Sequence, residues 1–394
     1  MRPVTNAMNS LAPRRWMAAV ALCAMTFPVS AAGGDSFRLI DRDLVTRSAR
    51  AIVIDERRLT YADPDGVQYE IDLDRCIALV RPEVPRPPET DGMLILADGQ
   101  RLPGTLAPTT AISDDELAWS HPWLAPTNVP MNLVAAVTLT PHQPVPTPER
   151  ADVVVLRNSD RLEGFITALA DPIMIEVTTE AGTQEIEVPI ERVAALALVT
   201  ARRPPAGRRI WFEDATVLDV RDLRVGDDGY VRFRSSLVGG SAGRIQTRLS
   251  DVSAILLDGE AMRPLSAIPP ARIEANTPRY ELPQPRLLDE RAAFGLHRIE
   301  YRGPIIVRYA LPAEARRFAA EASLPDAARA WGDCELVIRD DDREVFRARI
   351  NRESPTATIN VELTGSELTI EIEAGEHGPI QDRIVLNHPM LLMK

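Results

Sequence analysis

Residues 239–243, Gly-Gly-Ser-Ala-Gly, spell the Gly-x-Ser-x-Gly pattern of a hydrolase nucleophile elbow. A serine so placed attacks a carbonyl only from a sharp strand-to-helix turn whose next amide helps to form an oxyanion hole. The text after Ser241, "RIQTRLSDVSAILL", alternates like a strand and leads into no helix, so the stretch reads as a hairpin loop. The five histidines, His121, His142, His297, His377 and His388, are scattered, and none stands at metal-ligand spacing from another ligand. Asp340-Asp341-Asp342 crowds three carboxylates, the donors that suit calcium. Between "CELVIR" and "REVFRARI" the same run reads as the solvated turn of a hairpin. Cys76 and Cys334, far apart and without a zinc-type partner, read as buried thiols in different domains. No phosphate-cradling glycine loop or dinucleotide fingerprint appears, and no pair of carboxylates is singled out for glycoside hydrolysis. The expectation is a chain with no catalytic residue, no metal and no cofactor.

The bulk composition allows a folded chain of several small domains: 394 residues, 45% apolar and 26% charged. A net charge of -12 argues against nucleic acid or an anionic membrane as the main partner, because both reward clustered positive charge. Lys394 is the sole lysine, so nearly all the positive charge is arginine. At the start, "RPVTNAMNSLAPRR" is basic, "WMAAVALCAMTFPV" is apolar, and small residues follow, the layout of a secretory signal over 1–32. Export to the periplasm or the extracellular space is expected, with no membrane span once the signal is removed, since a span needs about 20 apolar residues.

Prolines gather at 81–92, 140–152, 200–209 and 263–290, where they favour extended connections over element interiors. The segments outside these clusters share a plan. Each opens on a β-rich phrase, such as "MLILADGQRLPGTL" or "VVVLRNSDRLEGFI", and closes on a second: "LDRCIALV", "MNLVAAVTL", "IERVAALAL" or "LSDVSAILL". Gly104 to Val134 and Gly164 to Val193 keep nearly the same separation. Asp65-Gly66, Asp98-Gly99 and Asp228-Gly229 signal two-residue hairpin turns, and Gly104 and Gly164 suit a bulge or bend that curls a short sheet. Four small SH3-like or Sm-like barrels are therefore expected over 37–82, 92–140, 152–200 and 209–260, followed by a proline-rich linker over 261–290. The phrases resemble the tandem small-barrel repeats of exported bacterial proteins, a likeness that implies no chemistry.

From residue 291 the text shifts to longer alternating runs, the pattern of antiparallel strands. One stretch differs: "AEARRFAAEASLPDAARAW" is rich in Ala, Glu and Arg, and its composition alone predicts a helix over 313–322. The order Gly295-Leu296-His297, "IVRYALP", Phe318, Gly332-Asp333 with "ELVIRDDDREVF", "VELTGSELTIEIEAGEHG" and "QDRIVLNHPML" resembles the NPCBM family of carbohydrate-binding modules. The resemblance covers about 100 residues. It implies a galactose-binding-like jelly-roll sandwich over 291–394, in which Arg317 to Leu324 is a strand with Phe318, Ala320, Ala322 and Leu324 facing one way. It also implies a sugar site near Asp333 and Asp382. The family's closing phrase carries a Trp a few residues after its Asp, where this chain has Leu386; Trp331, beside Gly332-Asp333, is then the remaining aromatic platform.

The fold class expected is thus all-β, with tandem small barrels followed by a sandwich. The function expected is non-catalytic carbohydrate binding at the cell envelope or outside it, through Trp331, Asp333 and Asp382, with a polysaccharide or glycan as partner. The alternative is an envelope scaffold that binds protein rather than sugar, motivated by Leu386.

Overall fold

The computed structural model describes residues 36–394 apart from 83–89, 108–115, 142, 180–181, 202, 204–206, 236, 238–243, 276–282, 289–292, 377, 379–380 and 394. The signal-like segment, Ser241, His142 and His377 lie outside the described residues. Among those described, the chain is all-β, with only short 3-10 turns between strands.

Each repeat uses the same wiring. In the first, Phe37–Asp41, Thr46–Ile54, Arg58–Ala62 and Gln68–Asp72 run as an antiparallel meander. One 3-10 turn, Leu73–Arg75, then delivers Cys76–Val80 back onto the first strand. The turns Met131–Leu133, Ile190–Arg192 and Leu249–Asp251 do the same in the other three, which is the connectivity of an SH3-like barrel. The recurrent second phrase of the sequence is this turn plus its closing strand.

Two details differ from expectation. The hairpin at Asp98-Gly99 is one residue longer: Leu96 pairs with Gln100 through its N–H, and the Gly99 amide bonds back to Leu96. Such three-residue loops need their third residue at positive φ. Leu44, Gly99, Ser159 and Ala215 supply it in the four units, at φ 56°, 85°, 72° and 73°. Asp65-Gly66 and Asp228-Gly229 close loops of the same length. Gly104 sits at the expected bend, where the chain leaves the pairing of Arg101–Pro103 for that of Thr105–Leu106, while Gly164 marks neither bend nor bulge; both allow close approach. A Cβ on Gly104 would collide with the Ser120 carbonyl and one on Gly164 with that of Glu176, while the third unit's bulge lies further on, between Ile166 and Ala168.

Nor are the units separate beads. Cys76–Val80 pairs with Val252–Leu256, joining units one and four, and Val134–Thr138 pairs with Val193–Ala197, joining two and three. The physical reason is legible in the composition of those strands. "CIALV" and "VAALA" are apolar throughout, "VSAIL" is apolar but for Ser253, and all three are buried at every position, as strands covered on both faces must be. Units two and four meet through polar contacts. Arg209 pairs with Asp219 and donates to the Asp98 carbonyl at 2.9 Å, and Gln100 accepts the Asp219 amide at 2.8 Å. His121 lies at the same seam: its Nδ1 accepts the amides of Trp123 and Leu124, so Nε2 holds the proton and donates to Thr216 Oγ1 at 2.9 Å.

The C-terminal part is a sandwich. One sheet orders Arg286–Leu287, Ile299–Arg302, Arg383–Met393, Ala315–Ser323 and Thr356–Glu362, with Met262–Pro264 also on Arg383–Met393. The other orders Arg272–Ala275, Ile305–Ala310, Glu367–Ala374, Asp333–Asp340 and Arg343–Asn351. From Ile299 onward the chain shuttles between the sheets, which is jelly-roll wiring. The segment 261–290, expected to be a linker, instead gives this sandwich three strands. Its prolines are compatible because those strands are short and Pro264 ends one, where no ladder donor is lost.

The helix suggested by composition at 313–322 is a strand. Phe318, Ala320, Ala322 and Leu324 face the sandwich core, and Ala319 on the opposite face packs with Ile77, Leu256 and Met390 against the repeats. Alanine there reflects two close-packed faces rather than helix propensity.

Candidate functional site

The site begins with a turn. After Ala315–Ser323 the chain makes a 3-10 turn, Asp326–Ala328, and the Ala328 carbonyl accepts the amides of Trp331 at 3.2 Å and Gly332 at 2.7 Å. This bent segment lifts the Trp331 ring into solvent, where it is 61% exposed. Gly332 lets the turn press on its neighbour: a Cβ there would lie 2.8 Å from the Ala328 carbonyl and 3.1 Å from that of Gln381. The loop carrying Trp331 therefore rests directly on the backbone that leads into Asp382.

Asp333, the next residue, is buried and fully engaged. Its Oδ1 and Oδ2 take Nε and Nη2 of Arg349 at 2.7 and 2.8 Å, and Oδ2 also accepts the Glu376 amide at 2.9 Å. This bidentate fork is the strongest geometry for such a pair. It raises the Arg349 guanidinium further above its usual range, first through Asp333 and also through Glu376. The interaction ties the hairpin Asp333–Asn351 to the loop after Glu367–Ala374.

Asp382 is buried to 2% exposure, and neither carboxylate oxygen has a hydrogen-bond partner in good geometry. Burial, and then the charge of Asp333, push its carboxyl up to about 7; the facing backbone amide of Asp333 partly offsets them. Its own carbonyl accepts the Gly303 amide at 2.7 Å. On the strand Ile299–Arg302, Glu300 is equally buried, with Arg383 on one oxygen and Arg302 at 3.6 Å from the other.

The structure thus brings Trp331, Asp333 and Asp382 to one end of the sandwich, with only the ring presented to solvent. Asp333 clamps the platform and Asp382 lies beneath it. Leu386 is wholly buried, paired with Ile299 and Ala322, so a side chain at that position packs the core rather than touching a ligand. Sequence reasoning missed Arg349. The signal was available in the hairpin register: Asp333 opposes Asn351 and Glu335 opposes Arg349, which makes Arg349 the diagonal neighbour of Asp333.

The other chemistry-bearing residues are engaged in the fold. Asp340 Oδ2 accepts the Thr364 amide at 2.9 Å and hydroxyl at 3.0 Å, and its Oδ1 the Gly365 amide at 2.9 Å. Burial raises the Asp340 carboxyl, but these bonds and Arg343 outweigh it and hold it below its usual value. Asp341 accepts the amides of Ser366 and Glu367. Both cysteines are free and buried, and burial pushes each thiol up to about 12. No group of metal-ligating side chains occurs among the described residues, and no helix among them is long and apolar enough to cross a membrane.

No protein-family model matches the chain, and no curated protein does. Among solved structures, the CBM51 module of a Clostridium perfringens GH95 protein, in complex with methyl-galactose, aligns at 10% identity and a TM-score of 0.28 over 33% of this chain and 99% of that one. The CBM51-2 and INT domains of Clostridium perfringens ZmpB align at 12% identity and 0.28, over 45% of this chain and 40% of theirs. The M60 catalytic domain of ZmpB with both of its CBM51 domains aligns at 8% identity and 0.28, over 91% and 51%. The chain so covers less than half of the second of these and about half of the third, and at such TM-scores the likenesses carry no argument about what it does.

Proposed function

We propose that the chain is an exported, non-catalytic carbohydrate-binding protein of the cell envelope or extracellular space, reading glycan at the sandwich end through Trp331. The observation that carries this reading is a tryptophan ring 61% exposed on a turn whose base is pinned by the Asp333–Arg349 fork. A rigid, solvent-facing indole offers an apolar plate for the C–H face of a pyranose at little ordering cost. Glu376, exposed and paired with Arg349 at 3.3 Å, offers a carboxylate for hydroxyls on the Arg349 side of the same fork.

The non-catalytic part is supported by burial. A general acid must come within hydrogen-bond reach of the atom it protonates. Asp382, the one carboxyl here held near 7, lies under the loop with 2% exposure, as does Asp333 with 4%. Export is supported by the basic, apolar and small-residue layout of 1–32. The scaffold alternative drew on Leu386, and a core position says nothing about sugar contact.

The test is a glycan panel with the full chain and Trp331→Ala. Retention by the wild type that falls about tenfold or more on loss of the ring, with the thermal midpoint unchanged, is the expected result. Absence of retention across a broad panel, or turnover of any polysaccharide, overturns it.

A further inference from the structure

The fourth unit places arginines where a sheet is least served by them. Its register sets Arg221 opposite Arg234 and Arg234 opposite Arg244, a row of three guanidinium groups across the strands Val217–Val225, Tyr230–Ser235 and Arg244–Arg248. Like charges directly opposite each other destabilise strand pairing. The next row, Arg224 opposite Arg232, is relieved by Glu56 and Asp228. The first row is relieved only in the middle, where Asp222 reaches Arg234 at 3.2 Å. Among the described residues, no hydrogen bond or ion pair reaches the guanidinium of Arg208, Arg221 or Arg244. All six arginines line one cavity of about 780 Å³, against two carboxylates, Glu56 and Asp222. The chain as a whole carries -12, so this concentration of positive charge runs against the sign of the molecule.

We propose that this cavity binds an acidic polysaccharide, its arginines gripping carboxylate or sulfate groups on neighbouring sugar residues. Guanidinium forks match planar carboxylates and sulfate edges through paired N–H donors. Three strands span roughly 10 Å, a width suited to charges on adjacent sugars rather than to one small ion. Glu56 and Asp222, both exposed at the cavity, would repel a bare polyanion but accept hydrogen bonds from sugar hydroxyls. A nucleic acid is disfavoured because its affinity grows with the number of phosphates met along a track, whereas these arginines form one patch on an acidic chain. The site lies on a different unit from Trp331 and stands independently of the reading given for the sandwich.

The test uses the full chain, with Arg221→Gln/Arg244→Gln and Trp331→Ala, against polygalacturonate, dextran sulfate, neutral dextran and single-stranded DNA. The wild type is expected to bind at least one acidic polymer and not neutral dextran; which one it binds separates the carboxylate source from the sulfate. The double variant is expected to weaken that binding about tenfold or more, with a thermal midpoint equal to or above that of the wild type, since it removes like-charge repulsion. Trp331→Ala is expected to bind acidic polymer as the wild type does, so failure of the sandwich reading would appear only in its own glycan panel. The proposal is overturned if neither acidic polymer binds, if the double variant binds unchanged, if Trp331→Ala loses the binding, or if single-stranded DNA binds as tightly.

Discussion

Asp382→Asn keeps the shape of a buried side chain and removes its charge, so its effect on stability must vary with pH. The carboxyl stands at about 7 in the fold against 3.8 in an unstructured chain. The folded state therefore holds a proton that the unfolded state gives up between those values, and the stability from this group is present below pH 3.8 and lost as pH rises through 7. At about 1.4 kcal/mol per unit, the ionised form opposes folding by on the order of 4 kcal/mol at pH 8 and by about 1.6 kcal/mol at pH 5. The amide of the variant adds its own desolvation cost, about 1–3 kcal/mol, but that cost does not titrate. Asp382→Asn should accordingly gain about 2 to 3 kcal/mol on the wild type between pH 5 and pH 8, whatever its standing at pH 5. Urea unfolding followed by tryptophan fluorescence at several pH values measures this difference. Asp333 and Cys334, the titratable groups coupled to it, are present in both proteins, so their titration largely cancels. A difference flat to about 0.5 kcal/mol across that range would mean that Asp382 ionises as an ordinary carboxyl, and the account of an unpartnered buried acid under the Trp331 loop would be wrong.

His121 should act with the opposite sign. Burial lowers its imidazole to about 4, against a partial offset from Asp214, so the seam between units two and four is favoured by the neutral ring and loses about 3 kcal/mol as pH falls from 6.5 through 4. His121→Gln should flatten that acid limb in denaturation curves, and an unchanged limb would count against it. Residues 291–394 expressed alone should show no cooperative thermal transition by circular dichroism, because the cut removes Met262–Pro264, Arg272–Ala275 and Arg286–Leu287 together with the core residue Leu265. A sharp transition from that fragment would show those strands to be dispensable.

Much of the fold could be read from the chain because strand pairing leaves local marks. The recurrent closing phrase marks the turn and buried strand that end each unit, and the near-complete apolarity of "CIALV" and "VSAIL" fits strands covered on both faces. What such text does not encode is the partner. Any of the four closing strands is sticky on both edges, and only register and shape decide that the first meets the fourth and the second meets the third. At 313–322 composition alone points to a helix while the family resemblance points to the strand that is found: alanine is chosen there by crowding from two sides, and propensity counts only the residue itself. The prolines at 261–290 read as a linker and could not say that short strands of the sandwich lie among them.

The functional residues divide along the same line. The family resemblance names Asp333 and Asp382, and Trp331 is the ring left once Leu386 takes the place of the family's Trp; the fold sets the three at one end of the sandwich, but their depths, which sequence does not carry, differ. Two aspartates of the same chemistry end up unlike each other. Asp333 is held in a two-point pair with Arg349, while Asp382, with only the facing Asp333 amide to offset it, is driven toward the neutral acid by burial and then by the charge of Asp333. The arginine row of the fourth unit shows the limit from the other side. Arg221, Arg234 and Arg244 are separated by loops along the chain and look like unrelated surface charges until the register places them in line. A local pattern can say that a strand is polar on one face; it takes the pairing to show that the charges on that face repel, and that repulsion is what gives the cavity its meaning.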